Sequence, residues 1–324
     1  MKIGLFMTKF AIQIENQFGY SWNQAKKIIE DTEKYDYHAF YVCDHFFLDN
    51  ESANRNALES YTLLTAAAMI TKKIKLGSLV TGNNYRNPAL LAKIIASLDM
   101  ISNGRVELGI GAGWKEIEYK AYGYEFPAVK DRMDMLEESL QIIKKLFTEE
   151  SPSFSGKHYS LNNAHFSPRP SNVLFLVGGG GEKRTLKMVA KYADYCNLFG
   201  WDPTENILRK LEALKKHCED IGRDYDDVGK SLFTPMRVFE TTDELDNYLK
   251  ETAQRRNESE EVIRNRLFDK NTPGAWFGTP EMLRDRIEYF NSLGFDYYHF
   301  QQPIDLSNIH ISRFSELVMN KFFK

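Results

Sequence analysis

The sequence predicts an α/β protein built as a closed (β/α)8 barrel of the TIM type. Residues 1–324 form one domain, with insertions after the fourth strand and before the eighth. Three observations predict it. Short apolar, β-rich runs recur along the chain, most of them followed by an amphipathic helical stretch, and such alternation implies a parallel sheet with helices outside. The runs are apolar nearly throughout, as strands buried on both faces are. Eight of them follow one another with no break between halves, which suits closure better than an open, doubly wound sheet.

The first strand is expected at "IGLFM", 3–7. The opening "MKIGLFMTKF" meets charge too soon for a signal peptide or a membrane span. Further strands are expected at "AFYVC" 39–43, "IKLGSLV" 74–80, "RVELGI" 105–110 and "VLFLV" 173–177. "YCNLF" 195–199, "SLFTPMRV" 231–238 and "DYYHFQ" 296–301 complete the set. Helical patterns occupy 21–36, 58–72, 88–102, 131–148, 182–192, 203–221, 241–267, 279–293 and 307–322. Two connections are oversized: the stretch with "TEESPSFSGKHYSLNNAHFSPRPSN", and the charged "QRRNESEEVIRNR". In a barrel the loops at the C-terminal ends of the strands build the active site, so chemistry is sought there.

Composition narrows the function. Hydrophobic residues at 43%, charged at 27% and aromatic at 13% describe a soluble globular chain with material for a large core. A net charge of −3 excludes nucleic-acid binding as the main activity, since that needs a concentrated basic face. The short basic run "GEKRTLK" suits a single anionic group. Cys43, Cys196 and Cys218 lack metal-like spacing and cannot all pair, which implies a reducing, cytoplasmic setting. The seven histidines form no HxxH or HExxH cluster, so no metal site is expected.

Four segments carry candidate chemistry. "CDHF" puts Asp44 and His45 at the end of the strand at 39–43; a histidine there moves protons near neutral pH, or it packs on an aromatic. "GSLVTGNNYRNP" offers Thr81 and Asn83 as ligand hydrogen-bonders or as turn residues. In the same segment Arg86 awaits an acid, and Pro88 opens a helix. "VELGIGAGW" spaces Gly109, Gly111 and Gly113 as G-x-G-x-G, out of register with a dinucleotide fingerprint. Either the strand needs room for a tight exit, or a flat ring lies against this backbone with Trp114 and Glu116 beyond it. "LVGGGGEKRTLK" ends a strand in Gly178, Gly179, Gly180 and Gly181 and opens a helix, with Lys183, Arg184 and Thr185 beside it. Backbone N–H groups at a helix start favour an anion such as phosphate.

These motifs, in this order, resemble the bacterial-luciferase-like superfamily of flavin- and deazaflavin-dependent oxidoreductases. The carrying segments are "YVCDHF", "LGSLVTGNNYRNPALLAKIIASLDMISNGRVELGIGAGWKEIEYKAYGYEFP", "LVGGGGEKRTLKMVAKYADYCNLFG" and "FGTPEMLRDRIEYFNSLGFDYYHFQ". The resemblance implies a ring at the barrel mouth and a non-prolyl cis peptide bulge around Leu79, Val80 and Thr81. It gives Asp44 and His45 as the strand-end pair, with His45 close to the cofactor. It assigns Gly111, Gly113, Trp114 and Glu116 to the ring, and Gly178 to Gly181 with Lys183 and Arg184 to the phosphate. Trp114 stands where some deazaflavin sugar-phosphate dehydrogenases have a catalytic glutamate. The glycine turn looks most like the branch that uses coenzyme F420.

The expected function is hydride transfer between F420 and a small organic substrate, in a pocket including Phe6, Trp114 and Tyr122, with His45 supplying the proton. The alternative is an FMN-dependent luciferase-like monooxygenase using O2. A barrel that binds a flavin without catalysis is a third class, in which His45→Ala would change nothing. The resemblance further implies a homodimer, and no membrane or nucleic-acid partner is expected.

Overall fold

Strand alternation sorts the side chains of this chain into an outer and an inner core. A computed structural model describes residues 8–52, 54–268, 275–303 and 308–322. The barrel strands are β1 (Lys9–Ile14), β2 (Ala39–Val42), β3 (Lys75–Gly82), β4 (Val106–Gly111), β5 (Leu174–Gly178), β6 (Tyr195–Phe199), β7 (Gly229–Val238) and β8 (Phe295–Gln301). Each runs parallel to the next, and β8 closes on β1 with Tyr297 opposite Lys9. Phe10, Ile12, Phe40, Leu108, Val177 and Phe300 face out into the large core beneath the helices. Ala11, Ala39, Tyr41, Leu176, Tyr195, Phe233 and Tyr297 form a second cluster, inside the barrel.

The helices are α1 (Trp22–Lys34), α2 (Ser60–Ile70), α3 (Pro88–Ser102), α4 (Glu116–Ala121), α5 (Val129–Thr148) and α6 (Thr185–Tyr192). They continue with α7 (Thr204–Asp220), α8 (Thr242–Arg256), α9 (Glu260–Phe268), α10 (Pro280–Ser292) and α11 (Ile309–Leu317). Local chemistry starts several of them. Ser21 and Gln24 form a reciprocal capping box on α1, and Asn87 caps α3 with Pro88 in its first turn.

The expected strand at 3–7 lies outside the described residues, and the first barrel strand is the following segment, "KFAIQI". Its outer face is apolar but its inner face carries Lys9 and Gln13, so it does not read as a continuous apolar run. The single helix expected over 241–267 is two, because Asn257 adopts a left-handed φ of 54° and ends α8. The insertion after β4 holds α4, α5 and a small hairpin, Phe154–Ser155 with Ser160–Leu161. Glu138 of α5 anchors that hairpin by accepting the N–H groups of Lys157, His158 and Tyr159 at 2.8, 3.0 and 2.9 Å. The insertion before β8 adds a short strand, Trp276–Gly278, to the end of β7. Trp276 is fully buried against Phe290, Tyr298 and Phe300, each aromatic contributing about 2–3 kcal/mol by burial. No helix among the described residues is long and apolar enough to cross a membrane.

Candidate active site

The C-terminal ends of β3 and β4 meet at the mouth. Alternation turns Glu107, Gly109 and Gly111 inward, with Leu108 and Ile110 outward in the helix-facing core. Pairing of β3 with β4 shifts register between Ser78 and Thr81, and within that bulge the Leu79–Val80 peptide bond is cis. The bulge brings β3 over the glycines. A Cβ on Gly109 would lie 2.0 Å from the Ser78 carbonyl oxygen. On Gly111 it would lie 2.9 Å from a Val80 methyl, and on Gly178 of β5 2.7 Å from the other. These glycines are therefore required by the chain's own bulge. Gly113 is required differently: its φ is +76° and a Cβ there would sit 2.0 Å from the Tyr119 hydroxyl. Thr81 is buried in a 2.5 Å hydrogen bond with Tyr61.

Asp44 and His45 part company, as neighbours in extended chain must. Asp44 is buried and gripped by both arms of Arg86 at 2.6 and 3.0 Å, by the Ser60 hydroxyl at 2.7 Å and by the Gly82 N–H at 3.0 Å. Arg86 also reaches Glu59, which caps α2, at 2.6 Å. Asp44 thus ties β2 to the ends of β3 and α2 through a bidentate charged pair.

His45 faces the mouth. Its Nδ1 lies 2.8 Å from Glu118, and its ring meets Trp114 edge-on at 5.6 Å. Its Nε2 has no protein partner among the described residues. Glu118 is buried, yet it also accepts the Phe46 and Phe47 N–H groups at 2.8 and 3.1 Å and the Tyr85 hydroxyl at 3.0 Å. Lys115 lies 3.2 Å from it. Burial alone would raise the Glu118 pKa, but the hydrogen bond and charge of His45, the Phe47 N–H and Lys115 outweigh it and hold the carboxyl at about 2. An ionised Glu118 assigns a proton to Nδ1 of His45, which fixes the orientation of the ring.

Sequence reasoning stopped at Glu116 and missed Glu118. The two are on opposite sides of α4: Glu116 is exposed and pairs with Lys120 at 2.9 Å. The Lys115/Glu118 spacing at one helical step was the available signal. Trp114 is 71% exposed and forms a free wall beside His45. Of the other expected pocket residues, Tyr122 stacks on Phe46 at 4.5 Å and Phe6 lies outside the described residues.

The second glycine run follows β5. Gly179 has a φ of +116°, and a Cβ on Gly180 would lie 2.8 Å from the end of the Lys210 side chain. The first turn of α6 has no side-chain cap, so its N–H groups face the glycine turn unclaimed by a side chain. Lys183 is exposed, and Arg184 is committed to Asp134 at 2.5 Å and to the Lys130 carbonyl at 3.0 Å. The cation beside the turn is Lys210, which pairs with Asp202 and was not singled out from sequence.

Around the remaining rim, Phe199 stacks on Trp201 at 4.7 Å, and Glu15 gathers the amides of Gln13, Gln17 and Gln301. A further group, Asp131, Asp134 and His158, brings its possible metal ligands within 4.8 Å. Lys157, Lys130 and Arg184 already neutralise its two acids, at 2.6, 3.0 and 2.5 Å.

The family model for luciferase-like monooxygenases matches residues 1–297. This chain belongs to that family. The proteins it is similar to include monooxygenases and F420-dependent enzymes. A pyrimidine monooxygenase RutA of Allorhizobium ampelinum is 33% identical over 197 residues, 58% of this chain and 51% of the relative. An F420-dependent glucose-6-phosphate dehydrogenase of Amycolatopsis mediterranei is 35% identical over 155 residues, 47% of this chain and 45% of the relative. The chain thus matches about half the length of these curated relatives. An F420-dependent secondary alcohol dehydrogenase superimposes with a TM-score of 0.78 at 20% identity, covering 96% of this chain and 98% of that one, which shows the shared fold.

Proposed function

We propose that this luciferase-like protein is an F420-dependent oxidoreductase moving a hydride between the deazaflavin and a small organic substrate. The observation that carries the reading is His45, held by Glu118 at 2.8 Å with Nε2 turned into the mouth beside exposed Trp114. Reduction of a carbonyl consumes a proton as well as a hydride and oxidation of an alcohol releases both, and the His45 imidazole gives or takes the proton. The residues present fit the cofactor. Gly179 to Gly181 and the uncapped start of α6 offer backbone donors to a phosphate, with Lys210 beside them. The bulge at Val80 and the bare backbone of Gly111 offer a surface for a flat ring. When bound, the deazaflavin supplies the redox chemistry.

The rest falls to the chain. Glu118 fixes the His45 ring, Asp44 and Arg86 fix the backbone that carries it, and Trp114 with Phe199 and Trp201 lends the mouth apolar walls. Asp44, wholly occupied by Arg86, Ser60 and Gly82, acts as a positioning residue in this reading. A cytoplasmic location belongs to this reading, and the chain's three free, buried cysteines support it. A homodimer is supported by Met69, Leu90 and Met100, exposed on the packed pair α2 and α3. The test is titration of the purified protein with F420 and with FMN, followed by absorbance and fluorescence. F420 binding in the micromolar range is expected; tight FMN binding with no F420 binding overturns the reading.

A second reading, an FMN-dependent monooxygenase using O2, is favoured by the pyrimidine monooxygenase relatives. It uses the same mouth and predicts substrate-dependent oxygen uptake with FMN.

A further inference from the structure

We infer that Glu15, with the amides of Gln13, Gln17 and Gln301, forms a recognition site for an amide or imide edge, –C(O)–NH–, of the ligand at the mouth. This rests on the reading that a planar cofactor and its substrate occupy that mouth. Gln13 points inward from β1 and stands in register with Gln301 at the end of β8. One oxygen of Glu15 accepts the Gln13 and Gln301 amides at 3.0 and 3.1 Å, and the other accepts Gln17 at 2.7 Å. The Cys43 thiol donates to the Gln17 carbonyl oxygen at 2.8 Å, which fixes that amide with its NH2 toward Glu15. No lysine or arginine pairs with Glu15 among the described residues. Three neutral donors therefore orient the carboxylate without cancelling its charge.

Gln13 and Gln17 are buried, whereas Glu15 and Gln301 stay partly open. The open face thus sets a strong acceptor beside an amide donor, the complement of an N–H next to a C=O. An unmet polar atom lies beneath it. His299, two residues before Gln301 on the same inward face of β8, is fully buried, and the Gln13 side-chain oxygen beside it on β1 has no partner among the described residues. Buried polar groups are paired in the great majority of cases, so this column is built to receive a polar group. Position gives the ligand's orientation. In the closed strand order β5 lies four strands from β1, directly across the mouth. A ligand anchored by its phosphate at the turn after β5 and lying across the opening presents its far edge to Glu15. That edge belongs either to the pyrimidine part of a flavin-type ring or to a cyclic amide substrate.

Paired binding measurements on the purified full-length protein separate the outcomes. Whichever of F420 and FMN binds is compared with its N3-methyl derivative, and glutarimide is compared with N-methylglutarimide on the loaded protein. Wild type should prefer the N–H form of one pair at least tenfold, and Glu15→Ala should bring that ratio near one while the melting curve shows it folded. Gln301→Leu should lower the same ratio several-fold, which serves if Glu15→Ala does not fold. A ratio confined to the cofactor pair assigns the edge to the cofactor; one confined to glutarimide assigns it to the substrate. Ratios near one for both pairs in wild type, or a ratio unchanged in both variants, overturn the inference. If neither cofactor binds, the functional reading falls on its own, and the glutarimide pair on the cofactor-free protein decides this one by the same criterion.

Discussion

Replacing Glu118 by Gln keeps the shape of the side chain and removes its charge, and the consequences can be worked from its partners. Five donors converge on the carboxylate: His45 and Phe46 at 2.8 Å, Tyr85 at 3.0 Å, Phe47 at 3.1 Å and Lys115 at 3.2 Å. An amide accepts through one oxygen only, so at least one of these donors meets an NH2 group instead. The fall of the carboxyl pKa from 4.5 to about 2 corresponds to about 3 kcal/mol of stability at neutral pH, as an upper bound. Breaking a buried charged cluster gives a similar figure, about 3–5 kcal/mol. The sign follows from a folded pKa below the unfolded one. The contribution is fully present above pH 4.5 and is lost as the pH falls toward about 2. Urea melts of wild type and Glu118→Gln should therefore differ by up to about 3 kcal/mol at pH 7, with the gap closing below pH 4.5. With an amide opposite Nδ1, His45 loses its assigned tautomer, and kcat should drop about tenfold to a hundredfold with cofactor affinity unchanged. A variant with wild-type melts at pH 7 and wild-type kcat would refute the assignment of Glu118.

Three further outcomes test other parts of the site. Gly109→Ala forces a Cβ to within 2.0 Å of the Ser78 carbonyl and should cost more than about 3 kcal/mol in urea melts, whereas Gly123→Ala, strained in φ but in open space, should cost about 1 kcal/mol. Arg86→Leu strands the Asp44 carboxylate and should cost about 3–5 kcal/mol; adding Asp44→Asn should recover part of it, and a double variant no better than the single would count against the pair as described. Trp114→Ala, at a side chain 71% exposed, should leave stability within about 0.5 kcal/mol while raising the substrate KM several-fold in steady-state assays.

Strands were legible where an apolar outer face met inner positions that are mostly apolar or glycine, as in "AFYVC" and, Glu107 apart, "VELGIG". They were not legible at Lys9–Ile14, where the inner face holds Lys9 and Gln13, because a polar lining breaks the apolar run. The helix break at Asn257 was hidden because the charged pattern continues through it, and only a left-handed φ of 54° stops the helix. His45, Trp114 and the glycine runs could be picked from spacing, since each lies at a strand end. Their partners could not be, because Glu118 is 73 residues from His45 and pairs with it only when α4 folds back over β2.

By itself, then, the sequence determined the barrel, the family resemblance and the strand ends where chemistry gathers, since these follow from periodicity and residue type along the chain. Only the tertiary structure decided why "VELGIGAGW" is rich in glycine. Gly109 and Gly111 leave room for the β3 bulge and Val80, and Gly113 turns the chain past Tyr119. It also decided which acid serves His45, which cation serves the glycine turn, and that Glu15 stands among amides with no counter-charge among the described residues. Each of these is a distance between segments far apart in the chain, and the order of residues fixes such distances only after the barrel has closed.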